Sequence, residues 1–338
     1  DRWKSVMSQA LAIEIASTGV FNPPTSIPSS IFDQRFGRPP GWSEKHFHIK
    51  SRPVATTEKS SEMAVKAAVN AISEAGLKAS DLDLIVSASS IMEQPIPTQG
   101  VLIQSQLGLS DHATPVLDVN STCLGFLSAL DNVSYSINAG RYQNVLIVCS
   151  EMPSRGLNWE DPEASVIFGD GAAAAIVSPA KYSQSKILAA HFETHSIGIK
   201  SCQMRSLGTG IDPKEDINAF LEGAVFEMDG PVAYRTTAKA IKPFVTTLLT
   251  KSGLSISDID LVIPHQASAL ALHHLRRRLG FSKNQIVDIF SDHGNQVSCS
   301  IPMALHQGIH NNRMTRGDHV LLIGTSAGIS LGGMILEY

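Results

Sequence analysis

Ala75-Gly76-Leu77-Lys78-Ala79-Ser80-Asp81-Leu82-Asp83-Leu84-Ile85-Val86 and Ser252-Gly253-Leu254-Ser255-Ile256-Ser257-Asp258-Ile259-Asp260-Leu261-Val262-Ile263 are two copies of one pattern, set 177 residues apart (Gly253 against Gly76). Self-similarity on that scale means a chain of two similar halves. In each copy a helical stretch, 63–75 or 232–251, runs to a glycine suited to the left-handed position after a helix. A polar turn then leads into an apolar strand. The similarity continues outward. Residues 115–119 and 285–289 read as second strands, 124–139 and 297–311 as small-residue helices, and 144–148 and 319–323 as third strands. Apolar, β-branched strands alternating with helices predict mostly parallel sheets covered on both faces, an α/β protein. The expected halves are 7–180 and 181–338, joined through the Ser- and Pro-containing stretch 178–185.

Composition narrows the function. Of 338 residues, 43% are hydrophobic and only 17% charged, which favours a large core and a buried subunit interface. The net charge of −4 and the absence of a basic run beyond Arg276, Arg277 and Arg278 argue against nucleic acid as a partner. No apolar run approaches the roughly 18 residues of a membrane helix, so no membrane insertion is expected. The first residues lack an apolar export signal, and 1–6, ahead of Met7, read as leader sequence. Cys123, Cys149, Cys202 and Cys299 form no C-x-x-C pair, which points away from disulfides and metal and toward a reducing cytoplasm.

In parallel sheets the chemistry sits beyond the carboxyl ends of strands, where helix N-termini point. Three segments occupy such places: 120–126 around Cys123, 264–268 around His265, and 292–296 around Asn295. Paired face to face, one half supplies a cysteine and the other an imidazole and a carboxamide. Cys123 opens a helix, a position expected to lower its thiol pKa. Each group alone also fits a structural role. Cys149 and Cys202 read as packing or surface residues, Cys299 as a neighbour of the site, and His273 and His274 as solvent-facing. Phe168-Gly169-Asp170-Gly171 lacks the wider pattern of a phosphate loop and reads as a place of close packing.

Together these segments resemble the beta-ketoacyl-acyl-carrier-protein synthase III family of the thiolase superfamily. The carriers are Asp118-Val119 before Cys123 and Gly125-Phe126 after it, Ile167-Phe168-Gly169-Asp170-Gly171-Ala172, Pro264-His265-Gln266-Ala267 and His293-Gly294-Asn295. The resemblance implies a thiolase-like five-layered α/β/α/β/α fold, a homodimer, and a Cys123-His265-Asn295 site for acyl transfer followed by decarboxylative Claisen condensation with malonyl thioester. The Cys123 and Ala327 N–H groups would form the oxyanion hole. It implies no cofactor beyond acyl-CoA or acyl carrier protein and malonyl carrier protein, and a place in fatty acid or related biosynthesis.

The same resemblance places Trp42 against an adenine and Gly230 and Tyr234 along the pantetheine tunnel, and makes Ser268, where the family has an asparagine, a further substrate-binding position. Ile96 falls where the family's partner subunit inserts a large aromatic into the acyl pocket, which implies acyl chains longer than acetyl. Arg276, Arg277 and Arg278 would dock acyl carrier protein. His46, Pro162 and Ser268 depart from the residues the family places beside coenzyme A, which shifts the expected donor toward a carrier. Two other readings compete. One is a non-decarboxylative condensing enzyme or acyltransferase of a secondary-metabolite pathway, with Glu93 as the nearest available base. The other is a non-catalytic thiolase-fold partner, against which the presence of Cys123, His265 and Asn295 speaks.

Overall fold

The computed structural model describes residues 10–181 and 183–338. Met7 and Tyr182, at the expected start of the first half and inside the expected junction, lie outside the described residues. Two sheets carry the fold. The first contains β1 (Ile13–Phe21), β2 (Leu84–Ser87), β3 (Val116–Asp118), β4 (Val145–Glu151) and β5 (Gly171–Pro179) in the order β1-β5-β4-β2-β3. The second contains β6 (Lys186–Thr194), β7 (Leu261–Pro264), β8 (His319–Ser326) and β9 (Ser330–Glu337) in the order β7-β8-β9-β6.

The principal helices are α1 (Ser60–Glu74), α2 (Gln99–Gln106), α3 (Gly125–Asn138), α4 (Gly230–Ser252), α5 (Ala269–Leu279) and α6 (Ser300–His310). Alternation along the strands sorts them into layers. Val86, Ile147, Ile263 and Leu322 face inward and pack with Phe126, Leu130 and Ile301 of α3 and α6, which fill the space between the sheets. Ile85, Leu146 and Val148 face outward under α1 and α2. Val262, Leu321 and Ile335 face outward under Phe244 and Leu248 of α4, with Leu275 of α5 alongside. The result is five layers, helices over sheet over helices over sheet over helices, in a thiolase-like α/β fold.

The repeat survives down to single hydrogen bonds. Gly76 and Gly253 both take positive φ, +68° and +73°. Lys78 N donates to Asp81 Oδ2 at 2.8 Å as Ser255 N does to Asp258 Oδ2 at 2.7 Å, so each 3₁₀ turn begins in the same capped way. Asp83 N donates to Asn144 O and Asp260 N to His319 O, both at 2.9 Å, tying each first strand to its third.

Two sequence expectations are corrected. The sheets are mixed rather than mostly parallel: β4–β2, β2–β3 and β7–β8 run parallel, whereas β1–β5, β5–β4, β8–β9 and β9–β6 run antiparallel. Strands buried on both faces carry no alternation that betrays direction. Residues 285–289 form no strand, only an isolated bridge from Ile286 to Val262. The wholly buried Gln266 explains why. Its Nε2 donates to Val287 O at 3.0 Å, and its Oε1 accepts from Ile289 N at 3.0 Å, taking the bonds a neighbouring backbone would have made.

Candidate active site

Cys123 stands on a one-turn 3₁₀ segment, Thr122–Leu124, that leads into α3. Thr122 has φ +48°, a region costly for a β-branched residue and held only where surrounding structure enforces it. Gly125 is part of that enforcement, because a Cβ there would collide with Ala88 O. The C-terminal half repeats the device at Val297, φ +52°, on the segment Val297–Cys299 before α6, and the two segments pack against each other.

His265 follows β7, and its N donates to Ile323 O of β8 at 2.8 Å, fixing the imidazole at the strand end. Asn295 is held by two backbone bonds to the first half: Asn295 N to Ile167 O at 2.7 Å, and Gly169 N to Asn295 O at 3.1 Å. The Phe168-Gly169 stretch is a close-packing element, as expected from its composition, since a Cβ on Gly169 would strike His293 O. The Asn295 side chain is oriented as well. Oδ1 accepts from Val297 N at 2.9 Å, and Nδ2 donates to Ala267 O at 3.3 Å, two residues past His265. One amide proton remains for another acceptor. His265 and Asn295 are each 6% exposed, and Cys123 is half-buried against a cluster that includes Phe168 and Val297.

The electrostatics correct one expectation. Burial pushes the Cys123 thiol up to about 12, with Glu151 and then Cys202 adding to the rise, instead of the depression expected at a helix start. Burial likewise pushes His265 down to about 4. The resting pair is thus a neutral thiol and a neutral imidazole, a donor rather than a cation.

The His265 shift carries a stability consequence. Between the unfolded value of 6.5 and about 4 the unfolded chain binds a proton that the native site refuses, so stability falls as pH falls through that window. This one group should cost about 2 kcal/mol between pH 7.5 and pH 5. Urea unfolding at the two pH values checks the prediction, with His265→Gln expected to remove that share of the loss.

Two residues near the thiol escaped the sequence reading. Glu151, wholly buried at the end of β4, accepts from Ser90 N (2.7 Å), Ser90 Oγ (2.9 Å), Ile91 N (2.9 Å) and Ser298 Oγ (2.5 Å), binding two other segments to one carboxylate. The polar Ser150-Glu151 pair closing an apolar strand is the signal that could have found it. Cys202, taken for a packing or surface residue, pairs through its backbone with Met228 and lies close enough to raise the Cys123 thiol.

The other expected site residues fall variously. Tyr234 rests on His274 with ring centres 5.0 Å apart, leaving His274 partly covered, while His273 is exposed. Ser268 caps α5, its Oγ accepting from Ala271 N at 3.1 Å. Trp42 already carries Arg38 at 4.8 Å and His46 at 4.9 Å against its ring. Gly230 opens α4, and Ile96 is 85% exposed. Glu93, the base of the non-decarboxylative reading, is occupied by Ser61 N and Ser61 Oγ at the start of α1. Among the described residues no group of three or more His, Cys, Asp or Glu side chains is arranged to hold a metal ion, and no helix is long and apolar enough to cross a membrane.

Two sheets of repeated design, with Cys123 packed against a cluster that includes Val297 and with Asn295 Nδ2 bonded to Ala267 O, define a protein of the thiolase-fold class. Residues 117–196 match the family described as 3-oxoacyl-[acyl-carrier-protein] synthase III, and 249–338 match its C-terminal part. The chain is 29% identical to the beta-ketoacyl-[acyl-carrier-protein] synthase III of Neisseria meningitidis serogroup C over 331 residues, covering 96% of this chain and 99% of that one. Its fold is similar to the crystal structure of 3-oxoacyl-[acyl-carrier-protein] synthase III from Aquifex aeolicus, with a TM-score of 0.87, 28% identity, and coverage of 96% and 100% of the two chains. The priming beta-ketosynthase of the R1128 polyketide pathway is also similar, with a TM-score of 0.86, 25% identity and 97% of each chain covered. The chain belongs to the 3-oxoacyl-[acyl-carrier-protein] synthase III family of condensing acyltransferases.

Proposed function

We propose that the protein transfers an acyl group from a thioester to Cys123 and condenses it with a malonyl thioester, with His265 and Asn295 as the groups that hold the second substrate. The observation that carries this reading is that the Cys123 turn packs against the Val297–Cys299 turn, two residues past Asn295, whose Nδ2 bonds to Ala267 O two residues past His265. In the first step Sγ attacks the thioester carbonyl, the incoming thiol leaves with the proton, and acyl-Cys123 forms. In the second, the malonyl carboxylate departs as carbon dioxide and its bonding pair passes to the α-carbon and thioester oxygen. The His265 imidazole and the free Asn295 amide proton stabilise that charge. The α-carbon then attacks the acyl carbonyl, the C–S bond breaks, and Cys123 is released. N–H groups of Cys123 and Ala327, the latter in the turn between β8 and β9, would hold the oxyanion.

The two sheets support functional halves meeting near 180, one bearing the nucleophile and the other the donors. A homodimer is supported by the open edge at β3, where Leu117 is 45%, Val101 39% and Ile96 85% exposed, the kind of edge that proteins otherwise protect. In such a dimer Ile96 would reach the other subunit's acyl pocket and leave room for chains longer than acetyl. Arg276, Arg277 and Arg278 end α5 without an ion pair among the described residues, which supports docking of an acidic acyl carrier protein. Trp42, Gly230, Tyr234 and Ser268 are the remaining candidates for contact with the carrier arm. We place the reaction in fatty acid or related biosynthesis in the cytoplasm, with no cofactor beyond its substrates.

The test is peptide mapping after incubation with a hexanoyl thioester of acyl carrier protein or coenzyme A. The acyl mass is expected on the Cys123 peptide and should be discharged by malonyl thioester as a 3-oxoacyl product. Acylation of another residue, or an acyl-Cys123 that malonyl thioester leaves intact, overturns the reading.

A further inference from the structure

One buried carboxylate stands beside the nucleophile without a step of its own. Glu151 closes β4, is wholly buried, and makes no ion pair among the described residues. Its partners are donors instead: Ser90 N, Ser90 Oγ and Ser298 Oγ at Oε1, and Ile91 N at Oε2. Burying a carboxylate without a cation is costly, and charge-assisted bonds of this kind are what offset it.

The two segments held by these bonds are the two that grip the nucleophile's turn. The stretch 88–91 and the turn Val297–Cys299 meet at Gly125, two residues past Cys123: a Cβ there would collide with Ala88 O and stand 3.4 Å from Ser298 Cβ. Upstream bonds align the first segment along β4, Ala88 N donating to Val148 O at 2.8 Å and Ser150 N to Ser89 Oγ at 2.9 Å. Glu151 finishes that row, and Ile91 then packs into the apolar cluster against which Cys123 lies. In the second segment Ser298 follows Val297, whose φ of +52° matches the +48° of Thr122. Such backbones persist only where neighbours hold them, so a bond to Ser298 Oγ bears on the turn packed against Cys123.

The charge itself works the other way. Glu151 is near enough to Cys123 to raise its thiol, and attack on a thioester needs the thiolate. What the residue contributes to the reaction therefore lies in its bonds.

We propose that Glu151 is a positioning residue for acylation: one carboxylate draws 88–91 and 297–299 together on Gly125 and so fixes where Cys123 Sγ stands when a thioester arrives. This rests on the reading under Proposed function. The carboxylate acts only through the turn and adds no chemical step.

The experiment follows single-turnover acylation by a hexanoyl thioester, read by intact mass over a range of thioester concentrations. Glu151→Gln keeps the side chain's length, removes the charge, and sets an amide N–H against one of the donors above, which loosens the clamp. The two losses have opposite signs. Loss of position should slow the saturated rate about 10²-fold, the cost of a misplacement near 1 Å, with the half-saturating concentration unchanged. Loss of charge alone would speed it. Ser298→Ala frees one segment and leaves the carboxylate in place, should slow the saturated rate about tenfold on the same scale, and serves alone if Glu151→Gln does not fold. A variant that thermal unfolding shows to be folded, yet acylates at or above the parent's saturated rate, overturns this inference alone. A loss confined to the half-saturating concentration does the same. A parent enzyme that forms no acyl-Cys123 overturns the acyl-transfer reading and this inference with it.

Discussion

Cys123→Ala is expected to yield a folded protein that forms no acyl-enzyme and condenses at least about 10⁴-fold more slowly, the scale on which loss of a nucleophile is felt when the remaining groups act only with it. The substitution removes one half-buried sulfur and leaves the backbone of the Thr122 turn, so the thermal midpoint should stay close to the parent's. No other thiol is a ready substitute. Cys149 and Cys299 are wholly buried, and Cys299 Sγ donates to Gly171 O at 3.2 Å. Cys202 is the one to control for, because it is half-buried and near Cys123, so Cys123→Ala is compared with the double variant Cys123→Ala/Cys202→Ala. Intact-mass measurement after exposure to acyl thioester gives the readout. Acylation persisting in the single variant and lost in the double would move the nucleophile to Cys202, and condensation within tenfold of the parent would remove Cys123 from the chemistry.

The halves of this fold were legible because they repeat features that are local. A glycine at positive φ, a capped 3₁₀ turn and an apolar strand each depend on residues within a few positions, and at Gly76 and Gly253 the same letters produce the same bonds. The candidate site was picked out on a related ground: Cys123 lies shortly after β3 and His265 directly after β7, places where an element visibly ends. What stayed hidden was long-range. Gln266 cancels an expected strand through side-chain bonds to Val287 and Ile289, more than twenty residues away, and nothing local to 285–289 announces it. The direction of the Cys123 shift reversed because the helix-start argument weighs nearby dipoles, while enclosure by Phe168 and Val297 and the charge of Glu151 come from distant segments. His274 likewise sits in a basic stretch, yet Tyr234, forty residues earlier, rests against part of its ring.

His265→Ala and Asn295→Ala should divide the reaction. Each removes one donor from the place where negative charge gathers as carbon dioxide leaves, and loss of such a donor costs about 10²–10³ in rate. Neither is needed to hold the acyl group once it is on sulfur, so acyl-Cys123 should still accumulate when malonyl thioester is withheld. The donors differ in what else they do. Asn295 Oδ1 accepts from Val297 N and Nδ2 donates to Ala267 O, so Asn295→Ala also frees the turn before α6 and should lower stability beyond its effect on rate. Among the described residues His265 has no hydrogen-bond partner at Nδ1, so His265→Ala breaks no such bond of that ring nitrogen. Asn295→Asp makes the discriminating case: it keeps the Val297 bond but presents a carboxylate to developing negative charge, so condensation should fall at least as far as in Asn295→Ala while the fold recovers. Single-turnover assays of the two half-reactions, run beside urea unfolding, separate these effects. Equal loss of acylation and condensation in both alanine variants would mean that the imidazole and carboxamide support the nucleophile and not the second substrate.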